Sequence, residues 1–284
     1  LVKSGGGNNI GVLIPTYLKW DLIATKIMKE KLMAYENMLY EKRDGVARIT
    51  INRPNVMNAI TPGLLSEMKS AVLEAGKDDE VRVIVLTGAG RAFSAGVDLI
   101  ALGDRKLERG KVGPILDDPA RALIEAIQNV PKVVIAMVNG FCITGAMEIV
   151  LGCDLIVAAE EAKFGDTHAR WGLRPTWGMS QRLPRAVGML KAKEMSFTAD
   201  LITGRQAQEL GLVNMAVPLD KLEETMQELI RRITVNSMAS LAAYKKLYNQ
   251  GLNETLKNGL EFEAKNEFDI TDTEERLAKF RKKD

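Results

Sequence analysis

A short, almost wholly apolar run followed by a glycine-bearing turn occurs twice in this chain, and this repetition restricts the fold more than any other feature. Residues 81–86 read as a strand buried on both faces, left through residues 93–102 by a turn into a short helix. Residues 132–138 read the same way, with a short helix over 145–151, and residues 154–158 give a third such strand. Strands that are apolar at nearly every position need cover on both sides. Parallel strands joined by helices provide it, so the predicted class is α/β.

The remaining pattern fits that frame. Residues 46–51 are β-branched and predict a strand. Thr61 followed by Pro62 predicts a capped helix running to about residue 75. Residues 103–118, rich in Gly, Asp, Arg and Lys and containing Pro114, predict a loop that could cover a site, with a helix over 120–129 after it. Residues 213–217 predict a late strand. Thr203…Gln206 and Thr271…Glu274 have the spacing of capping boxes, and the chain from residue 219 onward reads as amphipathic helix. The expected division is a leader over 1–32, an α/β core over 33–218 and a helical C-terminal region over 219–284.

The formal charge of +2 is uneven. Residues 1–32 carry Lys3, Lys19, Lys26, Lys29 and Lys31 against Asp21 and Glu30, a net of +3 that leaves −1 for the rest. Basic and aromatic residues are not interleaved, which argues against nucleic acid as a partner. The opening stretch has a Gly-Gly-Gly-Asn-Asn run and an apolar segment stopped by Pro15, while Met33 reads as a fresh start. Residues 1–32 are therefore expected to be a non-native or disordered leader. No apolar run reaches membrane-spanning length. Cys142 and Cys153 lie in apolar segments, which suits reduced thiols and a cytoplasmic protein, and one histidine with two cysteines makes a zinc site improbable.

The chemistry-bearing residues gather around those turns. Glu148 closes the run Asn139-Gly-Phe-Cys-Ile-Thr-Gly-Ala-Met-Glu148 and the only histidine, His168, follows it, with Phe93-Ser-Ala-Gly-Val-Asp98 upstream. Gly96 and Gly145 are each expected at a helix start, where unpaired N–H groups and close backbone approach suit an anion. Two such ends facing one another would hold a thioester oxygen becoming an enolate. The same glycines also serve as plain strand-to-helix turns, so spacing alone leaves both readings open.

Taken together, Ile51-Asn-Arg-Pro-Asn-Val-Met-Asn-Ala59, Phe93–Asp98, Asn139-Gly-Phe…Gly145…Glu148…Gly152-Cys-Asp154 and Pro175…Gly178…Gln181-Arg-Leu183 resemble the crotonase (enoyl-CoA hydratase/isomerase) superfamily. The resemblance runs from about residue 35 to the C-terminus. It implies a crotonase-like spiral of ββα units with a helical C-terminal trimerisation region, and a homotrimer or dimer of trimers. It implies an oxyanion hole at the N–H groups of Ala95 and Gly145. It implies a CoA pocket lined by Val56, Met57, Ala59, Ala95, Gly96, Val97 and Asp98, with Phe280 and Lys283 reaching CoA on a neighbour. Glu148 takes the place of the first catalytic glutamate of the hydratases, and His168 that of the second. Imidazole has a different reach from carboxylate; it could protonate the α-carbon or share the water with Glu148. Asp166 and Arg170 are placed to orient it. Trp177 and the residues flanking Gly145, Thr144 and Ala146, also depart from the small residues usual there.

The implied activity is hydration of an α,β-unsaturated acyl-CoA, with CoA arriving as part of the substrate and no metal, cofactor, nucleic acid or membrane required. The alternatives are isomerisation, hydration of a cyclic dienoyl-CoA, thioester hydrolysis, or a non-catalytic acyl-CoA-binding subunit. Gly88-Ala-Gly90 lacks the third glycine of a dinucleotide site, and no Gly-x-Ser-x-Gly elbow accompanies His168.

Overall fold

The structure, a computed structural model, describes residues 35–101, 103, 107–251 and 253–281. The expected leader and Lys283 lie outside those residues. The described chain opens with a hairpin of β1 (Met38–Arg43) and β2 (Val46–Ile51), in antiparallel register from Met38 opposite Ile51 to Arg43 opposite Val46. Asp44 and Gly45 make its two-residue turn at φ 51° and 78°, the left-handed pair that matches strand twist.

Helix α1 (Pro62–Lys77) follows, capped by the Thr61 side chain accepting from the Leu64 N–H at 3.2 Å. Its face Leu64, Leu65, Met68, Ala71, Val72 and Ala75 is fully buried. At about 1.5–3 kcal/mol for each large apolar side chain, this burial rather than helix propensity holds α1 in place.

From β2 the sheet continues in parallel through β3 (Val83–Gly88), β5 (Val133–Val138), β7 (Leu155–Ala159) and β10 (Met215–Val217), in the order β1-β2-β3-β5-β7-β10. Each of β3, β5 and β7 passes directly to a short strand: β4 (Ala92–Ser94), β6 (Phe141–Ile143) and β8 (Lys163–Gly165). These three and β9 (Ile202–Thr203) form a second sheet, ordered β4-β6-β8-β9. Helix α2 (Pro114–Asn129) links the first such unit to the second, and α3 (Gly145–Val150) the second to the third, which is the expected crotonase-like spiral. Gly140 marks why the spiral needs glycine: a Cβ there would run into the Arg91 carbonyl of the preceding unit.

Some local expectations are corrected. No helix starts at Gly96. Residues 95–98 bend at Gly96 (φ 91°) and make a single parallel bridge to the loop before α1, with the Ile60 N–H donating to the Gly96 carbonyl at 2.8 Å and the Asp98 N–H to the Ile60 carbonyl at 2.9 Å. That pairing outcompetes a helical turn. Helix α2 begins at Pro114 rather than at residue 120, because proline suits a first turn; the helix carries Pro119 within it, at the cost of one N–H and of crowding at the Ile115 carbonyl.

The C-terminal part is helical, as expected: α4 (Met179–Val187), α5 (Met189–Thr198), α6 (Gly204–Glu209), α7 (Leu222–Thr234), α8 (Met238–Gly251), α9 (Leu256–Lys265) and α10 (Thr273–Arg281). The Thr203–Gln206 capping box is made on both sides, at 3.1 and 2.8 Å. The one expected at Thr271 is not; the Arg276 N–H in the first turn of α10 donates to the Asp272 carbonyl at 3.1 Å. Among the described residues no helix is long and apolar enough to cross a membrane.

Candidate active site

Helix α3 enters the core at the point where β6 ends. All six of its residues are buried, and Glu148 is 1 % exposed. Its Oε1 accepts two backbone N–H groups, from Trp177 at 3.0 Å and Met179 at 2.9 Å, which fixes the carboxyl and leaves Oε2 free to face elsewhere. Burial pushes the Glu148 carboxyl above the usual glutamate range, and the Met179 N–H and the nearby imidazole of His168 only partly oppose it. A carboxyl that holds its proton more tightly than an exposed glutamate suits a general acid.

His168 sits in a short helical turn, His168–Trp171, that follows β8. Its Nδ1 is 2.6 Å from Asp166 Oδ1, and its Nε2 is 3.7 Å from Glu148 Oε2. Asp166 also accepts the Ser196 hydroxyl of α5 at 2.7 Å. Burial alone would raise the Asp166 carboxyl; hydrogen bonds from His168 and Ser196 outweigh it and hold it below the usual range. An ionised Asp166 makes Nδ1 the protonated ring nitrogen, so Nε2 presents a lone pair toward Glu148. Arg170, the other candidate partner, donates instead to the Ala199 carbonyl at 2.8 Å.

Glu148 and His168 line a cavity of about 130 Å³ together with Val97, Gly145, Trp171 and Trp177. Ala95 lines it too, but its N–H donates to the Met57 carbonyl at 3.0 Å and is not open to a ligand. The expected pairing of Ala95 with Gly145 is therefore corrected. Because Gly96 and Asp98 bond to Ile60 on one side, the Val97 N–H between them points away from Ile60. Neither it nor the Gly145 N–H has an acceptor among the described residues. Val97 and Gly145 are the two open donors.

Thr144, just before α3, is held at φ 54° and ψ −110°, a strained conformation for a residue with a Cβ. Its hydroxyl lies 2.6 Å from that of Thr167, and it accepts the Thr167 N–H at 3.3 Å. This link ties the start of α3 to the segment carrying Asp166 and His168.

The other expected binding residues fall into two groups. Val56, Met57, Ala59, Gly96 and Asp98 are not among the residues lining this cavity; Asp98 pairs with Arg53 at 3.1 Å, and Arg53 also donates to the Ala59 carbonyl. Phe280 is 69 % exposed on α10 and does not line the cavity. Asp117 had no signal in the sequence. It is buried in the first turn of α2 and accepts both the Thr176 hydroxyl at 2.6 Å and the Trp177 indole N–H at 2.9 Å. An acidic residue early in a helix reads as a dipole partner, and only the return of residues 176–177 from far along the chain reveals its role.

Residues 41–282 match the family described as Enoyl-CoA hydratase/isomerase. The chain is 36% identical over 230 residues to the probable enoyl-CoA hydratase 1, peroxisomal, of Arabidopsis thaliana, covering 80% of this chain and 84% of that protein. It is 36% identical over 233 residues to the short-chain-enoyl-CoA hydratase of Clostridium acetobutylicum, covering 82% and 88%. The fold is similar to the crystal structure of an enoyl-CoA hydratase from Bacillus anthracis, with a TM-score of 0.81 at 31% identity, over 87% of this chain and 97% of that one.

Proposed function

The chain belongs to the enoyl-CoA hydratase/isomerase family, and from that premise we propose that it adds water across the α,β double bond of a short-chain enoyl-CoA. The observation that carries this reading is the separation of His168 Nε2 and Glu148 Oε2, 3.7 Å apart beside two open backbone N–H groups. The thioester oxygen takes the Val97 and Gly145 N–H groups as its donors. Water placed between the two side chains gives a proton to the Nε2 lone pair as its oxygen bonds to the β-carbon. The π electrons move onto the thioester oxygen as an enolate. The protonated Glu148 then delivers its proton to the α-carbon. Return of the proton from Nε2 to Oε2 restores both groups, so atoms and charge balance over the cycle.

The cavity has room for about four water molecules at roughly 30 Å³ each, which favours a short acyl chain. CoA enters as part of the substrate, and the mechanism uses no other cofactor. Exposed apolar side chains on α5, with Leu190 84 % and Phe197 77 % exposed, support assembly into a trimer or dimer of trimers. The test is loss of the conjugated enoyl-thioester absorbance of crotonyl-CoA with a mass gain of one water. Binding of crotonyl-CoA without water addition would overturn the reading.

A further inference from the structure

The side chain that closes the catalytic cavity has a second cavity behind it. Trp177 and its neighbour Thr176 line both the catalytic cavity and a larger one of about 1100 Å³. The larger space has an apolar side formed by Ile124, Leu151, Leu212, Ile233, Leu241 and Tyr244.

Trp177 is fixed at every polar atom it has. Its N–H bonds Glu148 at 3.0 Å, its carbonyl accepts from Arg182 at 3.0 Å, and its indole N–H bonds Asp117 at 2.9 Å. The ring packs directly on Gly145: a Cβ added there would lie 2.5 Å from its Cζ3. It is 3 % exposed. A ring held this way is a wall rather than a gate. A thioester oxygen on the Gly145 N–H places the acyl carbons beside the same ring.

We propose that Trp177 sets the length of acyl chain the protein accepts by separating the catalytic cavity from the larger one, with Asp117 as the positioning residue that holds the indole in place. This rests on the reading of the site as an enoyl-CoA hydratase. The substrate class that follows is a short, four-carbon-scale enoyl thioester. A ten-carbon chain carries more than twice as many heavy atoms as the cavity admits alongside a water.

The experiment compares kcat/KM for crotonyl-CoA and trans-2-decenoyl-CoA in the full chain and its variants. The wild type should prefer crotonyl-CoA. Trp177→Ala should raise the decenoyl-to-crotonyl ratio on the order of 10-fold or more, because methylene-scale changes in an apolar pocket discriminate at that level. Asp117→Ala should move the ratio the same way, and Asp117→Asn, which keeps an acceptor for the indole, should restore it toward wild type. A merely structural role would lower both activities together and leave the ratio alone. Equal wild-type turnover of the two esters, or an unchanged ratio in folded Trp177→Ala, overturns the proposal. Should Trp177→Ala fail to fold, Trp177→Leu is read by the same ratio. Should no ester be hydrated, calorimetric affinities for butyryl-CoA and decanoyl-CoA supply the ratio: a shift in it keeps the wall and discards hydration, and no binding of either ester discards both.

Discussion

His168 Nε2 lies 3.7 Å from Glu148 Oε2, beyond a direct hydrogen bond, while the opposite nitrogen of the same ring is 2.6 Å from Asp166. The asymmetry assigns roles within one constellation. Asp166 sets the tautomer, His168 presents a base, and Glu148, raised by burial, presents an acid. Asp166→Asn should lower kcat for hydration by about 10²-fold or more, because an amide N–H toward Nδ1 favours the wrong tautomer. His168→Ala should match that loss, and the double variant should lose little beyond either single one, as expected for groups acting as a unit. Steady-state kinetics of the three variants check it; multiplicative losses would mean that the two side chains act independently.

The raised proton affinity of Glu148 also predicts a pH-dependent stability. The folded chain binds this proton more tightly than the unfolded chain does. The linked stability is complete below the ordinary glutamate range and is lost as pH rises through the raised folded value. Glu148→Gln keeps an oxygen for the Trp177 and Met179 N–H groups and carries no charge. It should abolish hydration yet melt above wild type at about pH 8, by a few degrees, with the gap closing toward about pH 4. Calorimetric scans across that range measure the gap; a constant difference would place the titration elsewhere.

Gly145 and Trp177 are in such close contact that one cannot grow unless the other yields. A Cβ at position 145 would lie 2.5, 3.1 and 3.2 Å from three ring atoms of Trp177. Gly145→Ala should displace either the indole or the start of α3, and with it the open N–H, lowering kcat by about 10²-fold. Combining it with Trp177→Ala removes the obstruction and should recover part of crotonyl-CoA turnover. A double variant no better than Gly145→Ala would locate the defect in the backbone conformation itself.

The parallel strands were legible because residues 83–88 and 133–138 are apolar at nearly every position, which only burial on both faces tolerates. Glu148 and His168 were legible through motif spacing, and the fold brings them together. The Ala95 N–H, expected as a donor, is taken by the Met57 carbonyl. Whether an N–H is open depends on the register of Ile60 against Val97, a pairing between loops that leaves no periodic trace in sequence. Asp117 was invisible for a related reason. Its partners Thr176 and Trp177 lie far along the chain, and nothing near residue 117 reports their return.

Lys245 ties α8 to the end of α2 and to the residues flanking β5. It is nearly buried on α8, yet its ammonium has three acceptors: the Ile127 carbonyl in the last turn of α2 at 2.7 Å, the Lys132 carbonyl at 2.9 Å, and Asp154 at 2.8 Å. Asp154 in turn accepts the Val134 N–H at 2.7 Å, anchoring β5. Burial pushes the Asp154 carboxyl up, and Lys245 pulls it back. Lys245→Met would strand that carboxylate and two carbonyls, at a cost of about 3–5 kcal/mol. Adding Asp154→Asn removes the stranded charge while keeping an acceptor for Val134, so the double variant should be more stable than Lys245→Met alone. Urea unfolding of the two variants decides it: if Asp154→Asn destabilises further on the Lys245→Met background, then the pair is not what joins α8 to the strand leading into the site.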